Sequence, residues 1–238
     1  MLTFIFVQAR LGSSRLRGKV LKKINNLELI KIQHKRLKKI ISNVRIIFLI
    51  PKNNSNKKLE IYLKKNDIEY FLGDEKNVLN RYYQAANKHN AKFIIRLTAD
   101  CPLIDPRIID KMIKLYFKSN PNYLTNSIIR TFPHGMDMEM FNFKTLEKVW
   151  YKAESSYDKE HVTTYIKKNK KLFKPKSFVN NKNLSNYRVT VDYVEDLKVI
   201  KKIINNFKPN IYFSSNQIVT FLKKNPKVAN LNSMYKIN

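Results

Sequence analysis

The first hundred residues alternate short apolar runs with longer stretches of helical periodicity. The apolar runs lie at residues 2–7, 45–50, 68–72 and 93–97. Between them, apolar side chains recur at helical spacing in residues 28–41, 55–65 and 78–88. Strands that alternate with helices of this length are joined by crossover connections, which make neighbouring strands parallel. Because the runs are apolar almost throughout, we expect an α/β fold, with a mainly parallel sheet and helices on both faces.

The alternation becomes less regular after about residue 123. Residues 136–141 alternate between apolar and polar side chains, which is typical of an exposed edge strand, and residues 187–191 are predicted to form a further strand. Helices are predicted at residues 143–153, 158–168, 194–207 and 214–224. No internal repeat or linker divides the sequence, so we expect a single domain over residues 1–238.

The composition is strongly basic, with 47 Lys and Arg residues against 18 Asp and Glu residues and a formal net charge of +29. Nucleic-acid binding is one interpretation of this charge. The basic residues are mostly scattered lysines, however, and the arginines are not interleaved with aromatic residues. The charge therefore favours small anionic substrates such as nucleotides and predicts no specific nucleic-acid partner. A hydrophobic fraction of 43% excludes intrinsic disorder, and a single cysteine excludes a disulfide framework.

The apolar start of the chain is too short for an export signal, and arginines follow it instead of a cleavage site of small residues. The apolar run at residues 46–50 is far shorter than the roughly 20 residues of a membrane-spanning helix. We therefore expect a cytoplasmic protein without a membrane partner.

A polar loop at residues 8–19 follows the first predicted strand. It contains two glycines, two serines and four cationic side chains, namely Gly12, Gly18, Ser13, Ser14, Arg10, Arg15, Arg17 and Lys19. Ligands of α/β proteins bind outside the carboxyl ends of the strands, where backbone N–H groups and positive charge suit a polyphosphate. The spacing is neither that of a Walker A loop nor that of a dinucleotide fingerprint. The alternative is an ordinary basic surface loop.

Two aspartates are expected at the carboxyl ends of later strands. Asp100 follows the fourth predicted strand, and Asp192 follows the strand at 187–191. Two carboxylates at such positions, together with phosphate and water, would suit Mg²⁺. The alternatives are that Asp100 caps a turn and that Asp192 is the N-cap of the next helix. Asp105, immediately before Pro106, is the better candidate for a helix N-cap.

The histidines and the cysteine are weaker candidates for function. His34 and His89 lie on predicted helices without the spacing of metal ligands, and we interpret both as structural. His134 and His161 have acidic neighbours, and either could serve a substrate pocket. Cys101 is expected to be a small buried side chain.

Taken in order, these segments resemble the spore-coat polysaccharide biosynthesis cytidylyltransferases, relatives of the acylneuraminate and 3-deoxy-manno-octulosonate cytidylyltransferases. The resemblance covers most of the chain. It rests on the segments at residues 8–21, 73–74, 78–82, 96–105, 135–139, 160–163 and 191–197. In three places the sequence departs from the family pattern: Arg17 stands where the family usually has proline, Ala99 replaces a glycine, and Tyr193-Val194 replaces Thr-Pro.

The resemblance implies a nucleotide-diphospho-sugar transferase fold, CTP as co-substrate and Mg²⁺ as cofactor. Residues 1–125 would form the nucleotide-binding part, and residues 126–238 would carry the acceptor side, the second metal carboxylate and the C-terminal helices. Relatives are commonly dimers, so a homodimer is expected, with a small extension near residues 132–143 as the candidate contact.

The resemblance also assigns roles to individual residues. Residues that would hold the triphosphate are Arg10, Gly12, Ser13, Arg15 and Lys19, and those that would bind the metal are Asp100 and Asp192. Arg10, Arg15, Lys19 and Asp100 would act in catalysis. Positions near the nucleotide are Gly73 and Arg81, and positions on the acceptor side are Asp137, Glu139 and His161.

The expected reaction is transfer of CMP from CTP to a sugar-like or acidic acceptor, with release of pyrophosphate, for surface polysaccharide or glycoconjugate biosynthesis. A nonulosonate, an octulosonate, a polyol or a phosphonate would suit the acceptor site. Two alternatives are a non-catalytic nucleic-acid-binding protein and a degenerate transferase-fold scaffold.

Overall fold

The alternating segments form strands and helices close to the predicted positions. A computed structural model describes residues 1–235; residues 236–238, the end of the predicted part 126–238, lie outside the described residues. The strands are β1 (Thr3–Gln8), β2 (Lys23–Ile24), β3 (Leu27–Glu28), β4 (Val44–Pro51), β5 (Tyr70–Gly73), β6 (Phe93–Thr98), β7 (Tyr123–Thr125), β8 (Glu139–Asn142) and β9 (Lys176–Ser177).

The longer helices are α1 (Leu29–Leu37), α2 (Lys57–Lys65), α3 (Val78–Lys88), α4 (Pro106–Ser119), α5 (Phe143–Lys152), α9 (Val194–Phe207) and α10 (Ser215–Lys224). Short helices are α6 (Ser156–His161), α7 (Thr164–Lys168), α8 (Lys170–Phe173) and α11 (Pro226–Ala229). The bounds of α3 and α9 agree with the predicted ranges. Asp105 caps α4, as expected, because its carboxylate accepts a hydrogen bond from the backbone N–H of Arg107.

Within residues 1–235 the strands form a seven-stranded sheet in the order β5-β4-β1-β6-β8-β7-β9 and a small hairpin of β2 and β3. Strands β5, β4, β1 and β6 are parallel, as the alternating pattern requires. In their register Gln8, the last residue of β1, lies beside Thr98, the last residue of β6. The loop after β1 and the turn that carries Asp100 therefore leave the sheet at the same edge.

Helices cover both faces of this sheet. On β1, Ile5 and Val7 pack into one core with α1, α2, α4, α9 and α10. Phe4 and Phe6, on the opposite face, pack into a second core with α3 and α5. Burying an aliphatic or aromatic side chain of this size contributes about 1.5–3 kcal/mol, so these two cores stabilise the central strands from both sides. The expected α/β fold with helices on both faces is confirmed.

The prediction of an exposed edge strand at residues 136–141 is wrong. Strand β8 begins at Glu139 and pairs antiparallel with β6 on one side and with β7 on the other. Met136, Met138 and Met140 are buried, as an amphipathic strand would have them. Glu139 is buried as well, because it lies directly opposite Arg96 of β6 and pairs with it. The alternation of apolar and polar residues usually means that the polar side chains face solvent. Here the polar residue is instead buried in a cross-strand ion pair.

The prediction of a strand at residues 187–191 is also wrong. This segment is extended, but its ladder is limited to a single bridge between Arg188 and His134. Its remaining backbone contacts join two different neighbours: Val189 donates to His134 O at 2.7 Å, and Val191 donates to Asp100 O at 2.8 Å. Because the partner changes along the segment, no regular strand develops.

The predicted helix at residues 158–168 is divided into α6 and α7. Val162, between them, has a φ of 64°, which ends α6. The break places Thr163 so that its hydroxyl donates to Glu139 at 2.8 Å. Among residues 1–235, no helix combines the length and the apolar character needed to cross a membrane.

Candidate active site

The loop after β1 is anchored by its apolar residues. Leu16 and Val20 are buried in the core, and the backbone N–H of Leu11 donates to Asn56 at 2.8 Å. Gly18 has a φ of 65°, which side chains disfavour, and this turn starts the short 3-10 segment at Lys19–Leu21. The fixed backbone brings the side chain of Lys19 back beneath the loop.

Lys19 lies between the two aspartates that the sequence singles out. Its Nζ is 2.8 Å from Asp192 Oδ1 and 3.3 Å from Asp100 Oδ2. Residues from the stretch 8–20 and from 98–100 line a cleft of about 160 Å³ directly above this contact. Among the lining residues are Arg10, Ser13 and Arg15. The structure therefore brings together two carboxylates that are separated by 92 positions in the chain, below a loop rich in cations.

Further cations surround Asp192. Arg15 Nη2 donates to Oδ1 at 2.9 Å, and Arg188 Nη2 donates to Oδ2 at 3.2 Å. Burial by itself would raise the pKa of Asp192, but Lys19, Arg15 and Arg188 together hold that pKa below its ordinary value. Arg188 is also paired with Asp196 at 2.8 Å. We call Lys19, Arg15, Arg188, Asp100, Asp192 and Asp196 the Lys19 cluster.

Asp196, an acidic residue in the first turn of α9, does more than complement the helix dipole. Its Oδ2 accepts the backbone N–H groups of Asp192 and Tyr193, at 2.9 Å and 3.0 Å. Tyr193, not Asp192, is the N-cap residue of α9. The side chain of Asp192 is therefore not used as a cap, and it points to the cations of the Lys19 cluster instead.

The turn that carries Asp100 is held from below by α1. Gln33, fully buried, donates from Nε2 to Thr98 O at 2.9 Å and to Cys101 O at 3.1 Å. Arg36, one turn further along α1 and also buried, donates to the carbonyls of Leu103 and Ile104. These contacts fix the backbone on both sides of Asp100. Cys101 is buried as expected, and burial raises the pKa of its thiol.

Gln33, Arg36 and Arg188 were not singled out in the sequence, although each carries a detectable signal. Gln33 and Arg36 occupy positions on the apolar face of α1, and Arg188 stands within an otherwise apolar run. A polar residue at a core position requires partners, because an unpaired polar group in the core is costly. The sequence does not say which groups those partners are.

Asp137 lies on a neighbouring loop that is joined to the Lys19 cluster. Its carboxylate pairs with Arg130 at 2.6 Å, and its second oxygen is 3.8 Å from His134 Nε2. His134 Nδ1 lies 2.8 Å from Arg188 Nη1. A guanidinium can only donate, so Nδ1 accepts and the neutral ring carries its proton on Nε2. Burial lowers the pKa of His134, which favours this neutral form.

Gly135 allows that loop to approach residues 189–190 closely. Its φ is 108°, and a Cβ atom at this position would lie 2.5 Å from Thr190 N and 2.6 Å from Val189 C. Both distances are too short for a real contact, so only glycine fits.

Glu139 lies in a second, closed group of charges. Its carboxylate pairs with Arg96 at 2.7 Å and with Lys167 at 2.9 Å, and it accepts from Tyr123 and Thr163. Burial would raise the pKa of Glu139, but Arg96 and Lys167 lower it to about 2. We call these five residues the Glu139 cluster. It contacts the cleft through Arg96 Nη2, which donates to Gln8 at 3.2 Å.

The other predicted site residues are not among those that line the cleft at Lys19. Gly12 is exposed on the loop. Arg81 is buried behind Gly73, where a Cβ would lie 2.7 Å from Arg81 Cγ, and it donates to the carbonyl of Asp74. His161 is exposed, and its ring is tilted against that of Tyr157 with ring centroids 4.4 Å apart.

The donor set of the Lys19 cluster suits a magnesium ion. Asp100 and Asp192 supply carboxylate oxygens, the hard ligands that Mg²⁺ prefers, and one or two of them suffice when substrate phosphates supply the rest. An ammonium group already lies between them, so the place accepts a positive charge. Within residues 1–235 no group of three or more His, Cys, Asp or Glu side chains forms a fuller metal site.

Comparison with known proteins shows the family to which the chain belongs. A family model described as Cytidylyltransferase matches residues 4–218. An uncharacterized protein of Methanocaldococcus jannaschii is 34% identical over 95% of this chain and 93% of its own length. The spore coat polysaccharide biosynthesis protein SpsF of Bacillus subtilis is 29% identical over 94% of this chain and 95% of its own.

Solved structures give the same result. A cytidylyltransferase from Leptospira borgpetersenii superimposes with a TM-score of 0.90 and 34% identity, covering 96% of each chain. The structure of CMP:2-keto-3-deoxy-manno-octonic acid synthetase complexed with CTP has a TM-score of 0.63 at 13% identity and covers 86% of this chain and 98% of its own; it shows the shared fold.

The fold and the family define a nucleotidyltransferase. The chain belongs to the cytidylyltransferase family, and the predicted resemblance to its spore-coat polysaccharide branch is confirmed. It is an enzyme that uses CTP.

Proposed function

We propose that the enzyme uses Mg²⁺ to transfer CMP from CTP to a small sugar-like or acidic acceptor, with release of pyrophosphate. One observation carries this proposal: Lys19 Nζ lies within 3.3 Å of both Asp100 and Asp192, at the base of a cleft lined by Arg10 and Arg15. Phosphoryl-type transfer needs positioning and neutralisation of charge more than covalent chemistry, and this cleft concentrates both.

Each group of residues has a distinct task in this proposal. The loop from Arg10 to Lys19 binds the triphosphate through its cations and backbone N–H groups, with Gly12 and Ser13 leaving room for the phosphates. Asp100 and Asp192 hold the metal, which when bound neutralises phosphate charge and makes the acceptor oxygen a better nucleophile.

During the reaction a bond forms between the acceptor oxygen and the α-phosphorus, while the bond from that phosphorus to the bridging oxygen breaks. The departing pyrophosphate takes the electron pair, and the proton of the acceptor hydroxyl is released to solvent. Arg10, Arg15 and Lys19 stabilise the negative charge that develops on it.

The remaining residues belong to the surroundings of these groups. We propose that Asp137 meets the acceptor, because Arg188 and His134 join its loop to Asp192. Glu139 would act indirectly, through Arg96 and Gln8. The roles of Gly73 and Arg81 near the nucleotide and of His161 on the acceptor side stay proposals from family resemblance.

The names of the relatives support an acceptor from surface polysaccharide or glycoconjugate biosynthesis. One relative is called a spore coat polysaccharide biosynthesis protein, and a protein of the same fold is a synthetase for the CMP derivative of a sugar acid. We propose a nonulosonate, octulosonate, polyol or phosphonate acceptor for this chain. A cytoplasmic homodimer, with a nucleotide-binding part at 1–125 and an acceptor part at 126–238, completes the proposal.

An acceptor panel tests it. Purified protein is incubated with Mg²⁺, one of CTP, UTP, GTP or ATP, and each acceptor class, and pyrophosphate release is measured. We expect release with CTP and one acceptor class, dependent on both. A scaffold would release none with any acceptor, and a nucleic-acid-binding protein would instead bind DNA or RNA with strong salt dependence and no response to CTP.

A further inference from the structure

We infer that Lys19 holds the two metal-binding carboxylates closed until CTP arrives, so that the divalent cation binds tightly only together with the nucleotide. This inference rests on the proposed function, because it takes Asp100 and Asp192 as the metal ligands. It adds an order of binding: CTP draws Lys19 away from the two carboxylates, which then become available to the metal.

The first argument is that cations already engage the carboxylate oxygens. Asp192 Oδ1 accepts from both Lys19 and Arg15, at 2.8 Å and 2.9 Å, and its Oδ2 accepts from Arg188. Asp100 Oδ2 accepts from Lys19, and its Oδ1 accepts from the Thr98 hydroxyl. A metal ion has to compete with these donors for each oxygen.

The second argument is charge. The three cations of the Lys19 cluster balance its three carboxylates, and Lys19, Arg188, Asp192 and Asp196 are all buried. A divalent cation entering alone would add two positive charges beside the ammonium of Lys19, where solvent screens them poorly. A triphosphate brings negative charge that offsets both the metal and the lysine.

The third argument is that the three cations differ in freedom. Arg188 is held by Asp196 on one side and by His134 on the other, and its side chain is only 4% exposed. Arg15 is half exposed, and Lys19 ends in a flexible four-carbon stem at the base of the cleft. Arg15 and Lys19 can therefore turn to phosphates in the cleft while Arg188 keeps Asp192 in position.

Binding of Mn²⁺ in the absence of CTP tests the inference without any turnover. Free Mn²⁺ is measured by electron paramagnetic resonance during titration of the wild type and of Lys19→Met, which keeps the length and apolar stem of the side chain. We expect the Kd for Mn²⁺ to be at least tenfold lower in Lys19→Met. Asp192→Asn in the Lys19→Met background should abolish this gain.

Lys23→Met is the matched control, because Lys23 is an exposed lysine close by in the chain and its loss should leave the Kd unchanged. A second measurement uses the unmodified enzyme: Mn²⁺ should be retained on the protein with CTP at concentrations where it is not retained alone. Asp100→Asn with CTP corrects for Mn²⁺ that CTP itself binds.

Two results would overturn the inference, and they are distinguishable. If the wild type without CTP binds Mn²⁺ as tightly as Lys19→Met, the lysine does not close the site, while the proposed metal site survives. If Mn²⁺ binds none of the proteins, with or without CTP, the metal site of the proposed function fails as well.

Discussion

The Lys19 cluster and the Glu139 cluster are built from the same types of side chain, yet they differ in access. Glu139 has two cations and two hydroxyl donors around it and is closed by α7 and the strands. The Lys19 cluster opens into a cleft, and Arg15, one of its cations, is half exposed. A paired charge becomes a substrate site only where a substrate can replace its partner. The Lys19 cluster meets this condition, which supports the proposed substrate site, whereas the Glu139 cluster joins β8 to β6 through the pair of Glu139 and Arg96.

Asp100→Asn, in the Lys19 cluster, should have the largest effect on turnover. The change removes a charge at the open cluster while the turn held by Gln33 keeps its shape, so we expect turnover to fall roughly 100- to 1000-fold with the fold intact. Pyrophosphate release and thermal unfolding measure the two effects. The control is Asp67→Asn, exposed and after α2, in a left-handed conformation that asparagine also tolerates. Near-normal turnover of Asp100→Asn would count heavily against the assignment.

Glu139→Gln should have the opposite profile and act mainly on stability. Removing one partner of a buried ion pair leaves Arg96 without its counter-charge, which costs roughly 3–5 kcal/mol. Urea unfolding measures this loss. The same substitution at Glu160, an exposed residue 3.6 Å from Arg10, should change the unfolding free energy by less than about 1 kcal/mol. Equal effects at the two positions would contradict the proposed division of roles.

Lowering the pH should destabilise the fold through the buried carboxylates of both clusters. The pKa of Glu139 is about 2 in the folded protein against an ordinary value of 4.5, and the pKa of Asp192 is also lowered. A depressed pKa stabilises the fold fully above the ordinary value, and this contribution is lost as the pH falls toward the folded value. We expect the free energy of unfolding to fall as the pH is lowered from about 5 to about 2. This window spans the ordinary carboxyl pKa and the lowered pKa of Glu139. Glu139→Gln should flatten the curve, and an unchanged curve would argue against the Glu139 cluster as its source.

Gln33→Leu should give the smallest of these effects. It removes two hydrogen bonds to the turn of Asp100 without touching the cleft, so we expect kcat to fall about tenfold, equivalent to about 1.4 kcal/mol, with KM for CTP little changed. Steady-state kinetics measures the split between kcat and KM. Gln84→Leu, on the exposed face of α3, is the matched control. A parallel rise in KM would show that Gln33 supports the nucleotide loop instead of the carboxylate.

The sequence predicted the parallel half of the sheet well, because strands buried on both faces have nearly continuous apolar runs that alternate regularly with helical segments. It also singled out Asp100 and Asp192, which the structure brings to one lysine. The antiparallel half was harder. The place of β8 depends on the pairing of Arg96 with Glu139, and such a long-range partner leaves no local pattern. Gln33 and Arg36 are visible in the sequence as polar residues at core positions of α1, but their partners in the turn of Asp100 are not.

The absence of a side chain at Gly135 has an evolutionary consequence for this enzyme. At this residue the backbone of the loop proposed to meet the acceptor packs directly against the segment that carries Asp192. No Cβ atom fits between the two backbones. Any larger residue would push residues 189–190 outward and draw Asp192 away from Lys19. Relatives of this enzyme that take a different acceptor should therefore keep this glycine and vary the loop around it, since a side chain here would disturb the proposed metal site at Asp192.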